Sequence, residues 1–514
     1  MHSSVRLSFL GLSFLGGVAL ASFIPAVSAA LLWVILLGTV ILCVSVWRGT
    51  FGDSREGVRR RLVGVLIGLC ILAFASGMWR FDAVATLHSR LAVFADRRAG
   101  DAPVSFLFHG FVDGAFTSRG NNGSFSFYVT AVQVENRIVP IRERVLVETG
   151  PLPLYAPGTR MGVEGSVSVA GERDTWLLRD GIRMKLDAGD IRTYEHAPYE
   201  ISTLQRIRMH MLASVISVRS LFERAIRASI GEPASALIEG VLLGTRQFLP
   251  DTLREAFRAT GMTHILAVSG YNISVVGAGV LALLLRWVRR RRAFWFTLGV
   301  LAIFTIMTGA SASVVRAAIM GGLLFFAQSY GRLPYLTNAL ILAACAMVLA
   351  QPFVLRYDVG FQLSFLAVIG LSWGAPLIMR FFEKTRIPDI VREPLAATLA
   401  AQIAVLPLIL VVFGSLSIAA PLANILTVPV VPFVMAAGFF AGVVALIIPP
   451  LAPLVGIPAW IGASYILWVI ERIAELPGAS VGVSLPWWGG VVLAVGIWGV
   501  WKYLSRLYAP AISS

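Results

Sequence analysis

An apolar run of about 18 residues or more can cross a hydrocarbon core about 30 Å thick. Such runs recur along this chain, at roughly 7–25, 29–47, 62–80, 263–285, 293–310, 312–330, 336–351, 358–380, 394–413, 418–447, 453–474 and 486–505. In lipid every backbone polar group must find a partner within the protein, so spanning segments of this length have to be helices. The reading is a polytopic α-helical membrane protein of about twelve spans. Composition agrees: 57% of the 514 residues are hydrophobic and 14% are charged, against about 25% charged in soluble domains. The run at 418–447 is overlong and carries Pro429 and Pro432, which predicts a broken or re-entrant span. The stretch PAVSAA at 25–30 resembles a signal cleavage site, but a second apolar run follows at once, which predicts a retained membrane hairpin. Cys43, Cys70 and Cys345 all lie inside apolar runs, so no disulfide is expected.

Arginine sets the expected orientation. Arg48, Arg55, Arg59, Arg60 and Arg61 separate the second and third spans, Arg286 and Arg289 to Arg292 follow the fourth, and Arg380, Lys384, Arg386 and Arg392 follow the eighth. Lys502 and Arg506 close the chain. Basic loops stay on the cytoplasmic side, and one alternating topology places all these groups there. Both termini are then cytoplasmic, the protein lies in the cytoplasmic (inner) membrane, and residues 81–262 face outward. The formal charge of +15 fits basic loops against an anionic leaflet. It also fits a polyanionic substrate.

The outward segment has a different grammar. Residues 104–112, 124–134, 144–149, 159–170 and 175–186 are short, β-rich and separated by Gly, Asn or Pro. Five such strands suit a small barrel of the OB type. Residues 103–200 hold ten Arg or Lys against twelve Asp or Glu, the reverse of a basic nucleic-acid groove. The barrel is then either structural or binds through aromatics such as Phe125, Phe127, Tyr128 and Trp176. Residues 204–230 read as an amphipathic helix bearing Arg206, Arg208, Arg219, Arg224 and Arg227. It could lie on lipid headgroups or form a basic collar. Pro250 and Asp251 open a short helix that Gly261 ends. The organisation is thus N-terminal spans at 1–98, an extracytoplasmic OB-like barrel at 99–198, a helical connector at 199–260 and a transmembrane domain at 261–508.

Several chemistries are missing. No lysine follows a glycine, so there is no Walker A phosphate loop. The nearest two of the six histidines are fourteen residues apart, so no local metal cluster is visible. His264 and Ser269 are five residues apart, about 140° around a helix, and cannot form a nucleophile–base pair on one face. No cofactor, metal, nuclease or ATPase site is expected.

Polar residues inside spans are costly and tend to be functional. His264, Ser269, Gly270 and Asn272 interrupt the fourth span, Arg316 sits in the sixth, Asp358 opens the eighth with Gln362 one turn later, Gln402 lies in the ninth and Asn424 in the tenth. Each could merely bond two helices together. As a set they outline one polar path, with Gly270 allowing a locally unwound backbone.

The ordered motifs around these residues resemble the ComEC competence family of inner-membrane DNA-uptake proteins. LREAFRATGMTHILAVSGYNI (253–273) is similar to that family's helix followed by His-Leu-Leu-Ala-Ile-Ser-Gly-Leu-His, with Asn272 in place of the last histidine. TGASASVVRAAIM (308–320), YDVGFQLSFLAVIGL (357–371) and FGSLSIAAPLANILTVPVVP (413–432) resemble its later motifs. The resemblance implies a channel for single-stranded DNA. The family's external cystine and its metallo-β-lactamase ligand run are not found here, so the resemblance implies no nuclease. An inside-negative potential opposes inward anions by about 2.3 kcal/mol per charge per 100 mV. With no nucleotide loop, a separate cytoplasmic motor or a DNA-binding protein is expected as partner, alongside the strand and the lipid bilayer, and a homo-oligomer stays open. A small-solute or lipid transporter, or a membrane scaffold, is the competing reading.

Overall fold

The computed structural model describes residues 3–507 except 25–29, 48–54, 87–88, 96–97, 100–101, 114–116, 120–121, 135–136, 151–154, 156–157, 195–202, 246–248, 267, 269, 330–334, 384 and 386–387. It forms two compact units, one of residues 1–217 with 323–359 and one of residues 218–322 with 360–514.

The first unit holds helices α1 (Ser3–Phe23), α2 (Leu31–Trp47) and α3 (Arg55–Ala85). Small residues let these apolar helices approach closely: a Cβ at Gly17 would collide with the Phe74 carbonyl of α3, and one at Gly77 with that of Phe14 in α1. Five strands follow, β1 (Phe106–Val112), β2 (Asn122–Val134), β3 (Arg137–Thr149), β4 (Arg160–Val169) and β5 (Met184–Thr193). β1 pairs with both β2 and β4, β4 with β5, β5 in parallel with β3, and β3 with β2, so the pairings close into a ring. Phe125, Phe127 and Val129 point inward from alternate positions of β2 and meet Phe108, Met161, Val163, Met184 and Leu186 in a dry interior. Bulges at His109/Gly110, Val129/Ala131 and Glu164/Gly165 bend the strands enough to close so small a ring.

The fifth strand differs from expectation. Residues 172–180 form a 3₁₀ helix closed by Gly181 at φ 73°, and pairing starts only at Met184, where buried Met184 and Leu186 begin to alternate with Lys185 and Asp187. The stretch TWLLRDGI lacks that alternation. Its Leu177 and Ile182 instead pack on Leu146 as a small plug.

Helix α4 (Thr203–Ser229) matches the predicted amphipathic segment. The second unit has a core in which α5 (Ala234–Leu243) is buried on all sides. Its apolar side chains join those of α4, of α6 (Asp251–Ala259) and of two later long helices. α6 ends at Gly261, φ 68°, as the sequence predicts. α7 (Gly270–Leu284), α8 (Arg290–Met307), α9 (Ala312–Ser329) and α10 (Leu336–Ala350) come next. A turn of helix α11 (Val354–Tyr357) leads to α12 (Val359–Ile369) and, through a π turn at Gly370–Gly374, to α13 (Ala375–Phe382). α14 (Asp389–Val412), α15 (Ala420–Thr427), α16 (Val431–Ile447), α17 (Ala452–Ala474) and α18 (Trp487–Leu507) complete the chain.

Each predicted span overlaps a helix among the described residues. Five helices among the described residues are long and apolar enough to cross a membrane, and the α15–α16 pair, bent by 48°, makes a sixth. That bend sits where Pro429 and Pro432 remove backbone donors. The fourth span is shorter than predicted. His264 lies outside it, in a 3₁₀ turn, because the helix begins only at Gly270.

Candidate functional site around Arg316

The predicted polar residues fall into separate groups. Arg316 projects from α9 and is 8% exposed. It donates from Nη1 to the Ser364 carbonyl of α12, and its guanidinium lies 5.7 Å from the Phe365 ring centre. On its other side is the start of α7: a Cβ at Gly270 would stand 3.2 Å from Arg316 Nη2 and 3.3 Å from the Ala317 Cβ. Glycine at this position lets a cationic side chain approach the start of α7. Arg316 Nε and Ser364 Oγ are both buried without a hydrogen-bond partner.

Asn272, the third residue of α7, is 3% exposed and donates from Nδ2 to the Val241 carbonyl of α5 at 3.0 Å. His264 is turned toward its own loop, with Nδ1 3.1 Å from the Gly261 carbonyl. That loop packs closely on the entry to α15, since a Cβ at Gly261 would fall 2.9 Å from the Ala420 Cβ and 3.0 Å from that of Ser417. Asn424 of α15 has its Oδ1 buried without a partner. Gln362 and Gln402 are half-buried on α12 and α14. Ser269 lies outside the described residues.

Asp358 belongs to the first unit. Its carboxylate faces Arg179 Nη1 of the 3₁₀ helix at 3.9 Å. Around it the barrel is anchored to helix ends: Gln351 Nε2 donates to the Leu178 carbonyl at 3.1 Å, Arg183 donates to the Val84 carbonyl and Arg183 stacks at 5.9 Å on Phe353. Arg80 Nε donates to the Leu349 carbonyl at 2.7 Å, and Arg356 donates to that of Ser22. The C-terminal ends of α1, α3 and α10 thus share the face on which the barrel docks. Asp358 opens α12, but its visible partner is a barrel arginine.

The candidate aromatics divide as well. Phe125 is 1% exposed in the barrel core, where no base could stack on it. Tyr128 is half-buried and stacks on Phe111 at 5.2 Å, whereas Trp176 is exposed beside Arg179. Arg206 and Arg208 lie on the described backbone of α4, with their side chains outside the described set. Farther along α4 the basic face is partly neutralised. Arg219 bonds Glu223 at 2.9 Å and the Thr245 hydroxyl at 2.7 Å, and Arg227 bonds Glu239 at 2.7 Å.

Sequence reasoning missed Ser364, Glu239 and Arg183. Only Ser364 had a local signal, as the hydroxyl inside YDVGFQLSF. The other two matter through partners distant in sequence.

Long apolar helices, a bent helix pair and buried polar side chains between helices define a polytopic membrane protein. The competence protein profile matches residues 241–507, the half that contains Gly270, Arg316, Ser364 and Asn424. The chain belongs to the competence protein family. It is similar to ComE operon protein 3 of Bacillus subtilis (26% identical over 258 residues, 50% of this chain and 32% of that protein). It is similar also to competence protein ComA of Neisseria gonorrhoeae (27% over 282 residues, 50% and 37%) and to the uncharacterized protein YcaI of Escherichia coli (21% over 281 residues, 51% and 36%). The matched region spans about a third of the length of these relatives. No solved structure gives a significant match.

Proposed function

We propose that the chain forms the membrane passage for single-stranded DNA during DNA uptake, crossing the cytoplasmic membrane about twelve times with both termini inside. One observation carries this reading. In the family-matching half, Arg316 Nε, Ser364 Oγ and Asn424 Oδ1 are buried among apolar helices without partners. An orphaned buried polar group costs about 1–3 kcal/mol, and in native proteins water or a ligand normally satisfies it. A wet path through the bundle supplies that solvent.

The ring of strands supports an OB-type barrel, with the parallel β3–β5 pairing closing it. The shared docking face at the ends of α1, α3 and α10 supports an outward position for that barrel. The role is transport rather than catalysis, and a separate cytoplasmic motor or DNA-binding protein supplies the work. Deleting the chain should abolish entry of a labelled strand into cells and reduce transformation to background; undiminished entry would refute the proposal.

A further inference from the structure

Arg316 is an unbalanced cation. It is nine-tenths buried and makes no ion pair among the described residues. An unpaired arginine within an apolar bundle is expensive, so its surroundings should offer something negative. Beyond the Ser364 carbonyl and the Phe365 ring face they offer more of the same sign. Its Nη2 stands at the first residue of α7, a helix of 15 residues. The first N–H groups of a helix have no partner within it and form its positive end. A third donor is close by: the Ser364 hydroxyl is buried and unpartnered on the residue whose carbonyl Arg316 holds. The guanidinium meets the helix end here, the Ser364 hydroxyl sits on the residue it holds, and among the described residues the Ser364 carbonyl is the hydrogen-bond acceptor of Arg316.

This is the donor set of an oxyanion site. A tetrahedral phosphate group presents two or more acceptor oxygens to a guanidinium fork and to helix N–H groups together. A Cβ at Gly270 would narrow the approach to Arg316. We propose that Arg316, the Ser364 hydroxyl and the first turn of α7 bind a phosphodiester oxyanion of the passing strand, an inference that rests on the proposed transport of DNA. Neutralising Arg316 and the helix end at once also explains why a lone arginine is retained in this bundle. The headgroup of an anionic phospholipid has the same chemistry, so the test separates the two sources.

The purified full chain in a phosphate-free maltoside detergent is titrated with a fluorescent abasic phosphodiester oligomer. Its uncharged methylphosphonate counterpart, inorganic phosphate and phosphatidylglycerol serve as competitors. The phosphodiester oligomer should bind, phosphate should displace it and the methylphosphonate should not. Arg316→Gln should weaken binding about tenfold or more, Arg316→Lys less because charge survives without the fork, and Ser364→Ala a few-fold. Binding of phosphatidylglycerol but not the oligomer, dependent on Arg316, would keep the oxyanion site and overturn its assignment to the strand. Equal affinities in wild type and all three variants would overturn the site and leave the deletion test of transport standing. Hydrogen exchange needs no variant: phosphate should slow exchange in the first turn of α7 in the wild type, and unchanged exchange there overturns the site.

Discussion

The barrel and the family-matching helices differ in how much polarity they bury. Inside the barrel the side chains are Phe, Val, Met and Leu, and the buried polar residue His109 stands 3.4 Å from Gln133. Its charged groups are paired at the rim, as in Arg144 with Asp113 at 2.5 Å and Lys185 with Asp174 at 2.8 Å. The helical half instead leaves Arg316, Ser364 and Asn424 with unpartnered atoms. The barrel interior is almost wholly apolar, with His109 its buried polar residue, whereas the helices bury a guanidinium, a hydroxyl and an amide. Under the proposed function the barrel is a rigid fitting and the helical half the working part.

The largest expected effect breaks the barrel. Phe127 is fully buried, so Phe127→Ala should cost about 3–5 kcal/mol, read as a lowered unfolding midpoint and faster exchange in β1 and β2. Trp176→Ala, at an exposed site, should leave that midpoint nearly unchanged. If Phe127→Ala is also silent, the barrel is not the packed unit described.

Among the helices of the second unit, paired and orphaned groups should behave differently. Arg227→Ala leaves the 1%-exposed Glu239 without its partner and should destabilise by about 3 kcal/mol, whereas Arg227→Met with Glu239→Leu should recover most of that loss. Asn424→Leu removes an acceptor that has no partner, so its effect on stability should stay within about 1 kcal/mol while strand entry falls. Loss of stability without loss of entry would assign Asn424 to helix packing.

The smallest effect is set by pH. Burial lowers the pKa of His109 below its ordinary value, against the raising influence of Gln133. The folded barrel then binds fewer protons at this site than the unfolded chain. Stability should therefore be complete above about pH 6.5 and decline as pH falls from there toward the lowered folded value. Exchange rates in β1 measured across that range should rise on acidification, and His109→Gln should flatten the profile.

Local pattern made much of this legible. Run length located the helical segments, alternation located four of the five strands, and Pro429 with Pro432 located the broken span. Arg316 and Gly270 were visible as interruptions of apolar runs. The fifth strand lies later than expected because residues 176–180, despite Leu177 and Leu178, do not alternate and form a 3₁₀ helix. The Asp358 contact with Arg179 is not legible because the two are far apart in sequence; Arg219 has Glu223 one turn along the same helix, whereas Glu239 meets Arg227 only when α5 packs on α4.

By itself the sequence determined the class of the protein, its helical segments and its β insertion, since hydropathy and periodicity act over a few turns of chain. Tertiary structure alone decided that α10 joins the N-terminal helices, with Ser8 bonding Asn338 at 2.6 Å. It also decided that Gly270, Arg316 and Ser364 meet. A helix that is apolar nearly all round carries little local signal for which face turns inward. That rotation is fixed by the packing of neighbours distant in sequence, and it determines which buried polar groups find a partner and which await one.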